Sequence, residues 1–91
     1  MVTAIILIKT SKTAVNDTAK QLLSIAGITE VYSVSGKHDL LAIARVSSND
    51  EVSDLVTERL LEIESIIETE TMLAFKAFSE FDLEAMFSVG M

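Results

Sequence analysis

No cysteine, proline or tryptophan occurs in this 91-residue chain, and histidine occurs once. Without cysteine, neither a disulfide scaffold nor a thiolate metal site can supply stability. With a single histidine, His-Cys dyads and multi-histidine metal sites are excluded by counting. Basic residues are also scarce, with seven Lys and Arg against fourteen Asp and Glu, a formal charge of −7 and a pI near 4.5. Those present, among them Lys9, Lys12, Lys20, Lys37 and Arg45, are scattered, whereas binding a polyanion needs clustered cations that displace counterions. No direct nucleic-acid contact is expected. Long apolar runs are missing too: the N-terminal one, Ala4 to Ile8, falls far short of the ~20 residues of a membrane span. No charged segment leading into an apolar core and cleavage site opens the chain. The expectation is a soluble, cytoplasmic protein with no membrane partner.

What the chain does have is apolar residue in excess. The hydrophobic fraction is 49% and the mean hydropathy +0.44, more than one core of this size needs, and small domains bury a smaller share of their surface than large ones. The excess implies burial between subunits.

Val2 to Ile8 is aliphatic on both alternating sets, which reads as a strand buried on both faces. From Ala14 the apolar positions take helical spacing through Leu23, with Ser11 or Thr13 as the candidate N-cap and Gly27 ending the helix. Ile28 to Val34 carries Thr29, Glu30 and Ser33 among its apolar residues, as an edge strand does. Leu40 to Val46 is nearly all aliphatic and reads as a second central strand. Ser48-Asn49-Asp50-Glu51 then supplies a capping box, followed by a single helical stripe of Val52, Leu55, Val56, Leu60 and Ile63. A last strand starts near Ile66 and is expected to run through Phe78, with Glu68 and Glu70 marking it as the second edge.

The order β-α-β-β-α-β, with right-handed crossovers, gives two helices on one face of a four-stranded antiparallel sheet. The fold class is therefore α+β, a ferredoxin-like sandwich. Its uncovered sheet face is apolar, so two sheets are expected to pack face to face as a dimeric α/β barrel. Residues 1–79 form the ligand-binding and oligomerisation domain in this reading. Residues 80–91 form an amphipathic tail that buries Phe81, Met86 and Phe87.

The turn Ser35-Gly36-Lys37-His38-Asp39 joins the two halves, and two readings of it stay open. In one it is a hairpin connection in which Gly36 takes a positive φ and Asp39 or Ser35 bonds local backbone. In the other, Gly36 lets backbone N–H groups approach an anionic group while Asp39 offers a carboxylate to a cationic one. An α-amino acid needs both. His38 reads as a surface turn residue, and Glu62, Glu64, Glu68 and Glu70 as solvated helix-end and edge positions rather than a metal cage. Neither catalysis nor a cofactor is expected.

Val34-Ser35-Gly36-Lys37-His38-Asp39-Leu40-Leu41, placed after the second strand, and Glu68-Thr69-Glu70-Thr71 on the last one together resemble the effector-binding (RAM) domain of the Lrp/AsnC regulators. The likeness covers roughly Val2 to Phe78, without the helix-turn-helix domain that full-length members use on DNA. It implies dimers formed through the sheets that associate further into octameric or similar rings. It also implies amino-acid effectors held at interfaces between dimers, and a module of this kind is expected to co-assemble with full-length Lrp/AsnC-type regulators through the same sheets. By the same resemblance, Ser35, Gly36 and Asp39 match the effector turn, and Thr69 and Thr71 match polar positions of the last strand. Two other classes share the fold. One is the small dimeric α/β-barrel oxygenases and isomerases, whose cavities call for His, Asn, Tyr or Trp and would find only Tyr32 and His38 here. The other is ACT-like regulatory modules that serve an attached enzyme.

Overall fold

Aliphatic residues on both alternating sets make Val2–Thr10 the strand β1, and its side chains set the layers of the molecule. Ala4, Ile6 and Ile8 are fully buried on one side, while Ile5 and Leu7 on the other are only half-buried. The expectation of burial on both faces thus holds within one copy for one face alone. The computed structural model describes residues 1–78, so the tail assigned to 80–91, with Phe81, Met86 and Phe87, lies outside the described residues.

β1 pairs antiparallel with β3 (Leu40–Val46), from Val2 opposite Val46 to Ile8 opposite Leu40. It pairs on its other side with β4 (Ile66–Ala74), and β2 (Ile28–Ser33) completes the sheet order β2-β3-β1-β4. The two aliphatic strands lie in the centre and the two carrying acids at the edges, as their composition requires. β4 stops at Ala74 instead of reaching Phe78, because Ala74 already faces Thr3 and the last paired residue of β1 is spent.

Entry into the first helix differs from the expected cap. A 3₁₀ turn, Lys12–Ala14, precedes α1 (Val15–Leu23), and neither the Ser11 nor the Thr13 hydroxyl caps it. The Ala14 N–H donates instead to the Ser11 carbonyl at 3.0 Å. The fully buried Thr18 hydroxyl donates to the Ala14 carbonyl at 2.7 Å and lies 2.5 Å from the Ser65 hydroxyl. That pair ties α1 to the loop before β4, and a buried hydroxyl left unpartnered would be costly.

Gly27 does not end α1, which closes at Leu23 with Ser24 as its cap. It occupies the following turn at φ +99, where a Cβ would stand 2.8 Å from the Val46 Cγ1. Gly36 has φ +108 with open space around it. Gly27→Ala is therefore expected to destabilise by about 3 kcal/mol or more, adding overpacking to backbone strain. Gly36→Ala carries the strain alone, about 1–3 kcal/mol. Urea unfolding of the two variants checks the order.

The second helix starts as its capping box dictates. The Ser48 hydroxyl accepts from the Glu51 N–H at 3.2 Å, and the Glu51 carboxylate reaches back to the Ser47 N–H and hydroxyl, one residue earlier than a standard box. Those Ser47 bonds hold the Glu51 carboxyl below its usual range. After α2 (Asn49–Asp54) the backbone widens into a π-turn, Leu55–Arg59, where the Leu60 N–H donates to the Leu55 carbonyl, and closes with a 3₁₀ turn, Leu60–Glu62. A regular helix would place residues five apart on different faces. The wider turn brings Leu55 and Leu60 into the core together, beside Val52 and Ile63.

Candidate functional site

The turn between β2 and β3 is held by backbone at both ends. The Val34 N–H donates to the Asp39 carbonyl at 3.0 Å, and the Asp39 N–H to the Ile8 carbonyl of β1 at 2.9 Å. Between them Ser35, Gly36 and Lys37 are exposed, and among the described residues no N–H from Ser35 to His38 donates to a carbonyl or side chain. Free backbone donors around a positive-φ glycine are open to an anionic group.

The Asp39 carboxylate turns away from its own loop. Its Oδ2 accepts from the Thr10 N–H at 2.9 Å, at the end of β1, so it satisfies a donor on a residue that is 1% exposed. Its Oδ1 lies 3.8 Å from Lys12 Nζ, whose side chain is almost wholly in solvent. One oxygen is committed to the strand and the other faces only a solvated cation that water screens. Sequence pattern does not single out Thr10 or Lys12 for this site. The register finds them, since Ile8 opposite Leu40 puts the end of β1 beside Asp39.

Thr69 and Thr71 are elsewhere. They stand opposite Ile8 and Ile6, and cross-strand partners share a face, so both lie on the helix side of β4. No hydrogen bond or ion pair among the described residues joins them to the turn. Thr71 and Leu73 wall a groove of about 250 Å³ against Asn49, Val52, Ser53, Val56 and Thr57 of the second helix. It stays open because α1 packs on β2 and α2 on β3, leaving β4 with little helix cover.

His38 reaches the opposite, helix-free face, with Nε2 3.8 Å from the Glu70 carboxylate. That face carries Ile5 and Leu7 of β1, Leu41 and Ile43 of β3 and Met72 of β4 in adjacent register. At its β2 edge Glu30 accepts from Tyr32 and from Arg45, which also donates to Thr29 at 2.7 Å. The Tyr32 hydroxyl, then Arg45, holds the Glu30 carboxyl below its usual range, and Glu30 in turn raises Tyr32. Among the described residues no group of three acidic or histidine side chains could hold a metal, and no helix is long and apolar enough to cross a membrane.

The model of the Lrp/AsnC ligand-binding domain matches residues 3–83. The chain belongs to the Lrp/AsnC family. An uncharacterised HTH-type transcriptional regulator of Pyrococcus furiosus is 36% identical over 64 residues, 70% of this chain and 43% of that protein. This Lrp/AsnC chain thus spans less than half the length of that curated relative. The crystal structure of TTHA0845 from Thermus thermophilus is 36% identical with a TM-score of 0.81, covering 88% of this chain and 100% of that one. A feast or famine regulatory protein of Mycobacterium tuberculosis, solved in complex with L-methionine, has a TM-score of 0.74 at 21% identity, over 88% of this chain and 54% of that one. At that identity the likeness is one of fold. The Lrp/AsnC family is one of transcriptional regulators rather than enzymes, and the Pyrococcus relative is named as one. The oxygenase or isomerase reading of the shared fold is thereby set aside.

Proposed function

We propose that the chain is a non-enzymatic, amino-acid-responsive oligomerisation module of the Lrp/AsnC type, acting with full-length regulators of the family through shared sheet contacts. The observation that carries the reading is the β2–β3 turn, which has free N–H groups around Gly36 and, at its end, the Asp39 carboxylate with one oxygen uncommitted to the fold. The N–H groups near Ser35 and Gly36 receive the effector carboxylate, and Asp39 Oδ1 receives the ammonium in place of Lys12. Because Thr69 and Thr71 lie on the helix side of β4, their hydroxyls complete this site from another copy. A ligand shared between copies favours the assembly that presents the whole site. The L-methionine bound by the mycobacterial protein supports the ligand class.

The test is a thermal-shift panel of the twenty amino acids. A ligand at a hundredfold excess over its Kd adds about 2.7 kcal/mol to the folded assembly, upwards of roughly ten degrees for a domain of this size. A selective, saturable rise is the expected result. Twenty flat melting curves overturn the amino-acid reading and leave the turn as a hairpin connection.

A further inference from the structure

Asp39 and Lys12 form a pair before any ligand arrives. Lys12 Nζ lies 3.8 Å from Asp39 Oδ1, and among the described residues no other acid pairs with it. The lysine side chain is 86% exposed and that of Asp39 16%. The carboxylate is fixed by its bond to the Thr10 N–H, so the ammonium is the member free to move.

Basic residues that are scattered in the sequence are gathered at this end of the sheet. Lys9, Lys12, Lys37 and His38 are four of the chain's eight, seven Lys and Arg and one His. The register sets the end of β1 beside the turn that carries the last two. Three of them face an acid: Lys12 faces Asp39, His38 faces Glu70 at 3.8 Å, and Lys9 stands opposite Glu68 in the β1–β4 ladder. Lys37 is exposed and pairs with none among the described residues. The turn and the two strand ends it meets are thus close to balanced in charge on a chain of formal charge −7, and a ligand of net negative charge is repelled least there.

An amino-acid ammonium that takes Asp39 Oδ1 displaces Lys12 from that acid and leaves two cations beside one carboxylate oxygen. A neutral effector therefore binds against the repulsion of Lys12, and a cationic one against more. A second carboxylate on the effector reverses the sign. It lies one or two methylenes from the α-carbon, within the sweep of the flexible four-carbon lysine stem. We infer that the effector class selected at this turn is a dicarboxylic α-amino acid, and that Lys12 is the residue that selects it. The inference rests on the effector reading above and adds to it the side-chain charge of the ligand.

The test is the panel of twenty amino acids repeated at low salt, where exposed charges are least screened. Calorimetric titration of the full chain follows, with glutamate against glutamine and aspartate against asparagine, pairs that differ in charge and hardly in shape. An exposed ion pair is worth up to a factor of about five in an equilibrium constant, so the acid is expected to bind about fivefold tighter than its amide. That ratio is expected to fall toward one in Lys12→Gln, to invert in Lys12→Glu and to persist in Lys12→Arg. All three variants alter a solvated side chain, so the fold survives, and circular dichroism verifies it. A neutral or cationic amino acid as the strongest binder, an acid no tighter than its amide, or a ratio unmoved in Lys12→Gln overturns the inference and leaves the effector reading standing. Twenty flat melting curves overturn both.

Discussion

Asp39→Ala is expected to cost both stability and ligand, and Asp39→Asn to cost ligand alone. Alanine leaves the Thr10 N–H without the acceptor it has at 2.9 Å, on a residue that water does not reach. An unsatisfied buried donor costs about 1–3 kcal/mol. Asparagine keeps a side-chain oxygen for that N–H but has no charge for an ammonium, and a charge-assisted hydrogen bond is roughly twice as strong as a neutral one. Urea unfolding separates the variants on stability, and calorimetric titration with the amino acid found in the thermal panel separates them on binding. Asp39→Asn should retain nearly the stability of the parent while losing at least about tenfold in affinity, about 1.4 kcal/mol. Full affinity in Asp39→Asn would remove the carboxylate from the proposed site and leave it a tie between the turn and β1.

Ile5→Lys is expected to dissociate the assembly while sparing the fold of each copy. Ile5 lies at the centre of the helix-free face, between Ile43 of β3 and Met72 of β4, with no acid directly opposite. Leu7 would be a poorer probe, because Glu70 stands opposite and would pair with an introduced lysine. In one copy Ile5 is only partly buried and lies on the helix-free face, so a lysine there reaches water at little cost. In a pair of sheets packed face to face, the symmetry places two uncompensated ammonium groups in an apolar interface. Burying an unpaired charge costs several kcal/mol, so the Kd of the pair should rise about a hundredfold or more. Sedimentation equilibrium measures it, and an unchanged mass would place the interface on another surface.

Local and periodic information carried much of this fold into view from the chain alone. The aliphatic runs of β1 and β3, the acids of β2 and β4 and the Ser48 capping box are each legible from a few neighbouring residues, and together they order the sheet. What was not legible depends on partners far away in sequence. β4 ends where it does because β1 begins at Val2, and Gly27 is needed because Val46 stands over it. The Thr10–Asp39 bond spans 29 residues, so the site reads as a free carboxylate until the strands are paired. The separation of Thr69 and Thr71 from the turn follows from which face of β4 looks at Ile6 and Ile8, a matter of register rather than of composition.

The π-turn in the second helix has a consequence for how such a molecule could diversify. A turn closed by five residues holds one more than the α-turn it replaces, and here it sets the offset between Leu55, pinned in the core, and Val56, half-open on the groove. The width of that groove is thus governed by chain length at a single point. A one-residue deletion between Leu55 and Leu60 would rewind the turn to an ordinary α-turn with these two leucines four positions apart, about 40° from each other, so both would stay in the core while the groove wall between them lost one residue. Close copies of this domain could present different grooves through a single lost codon, with every core side chain unchanged.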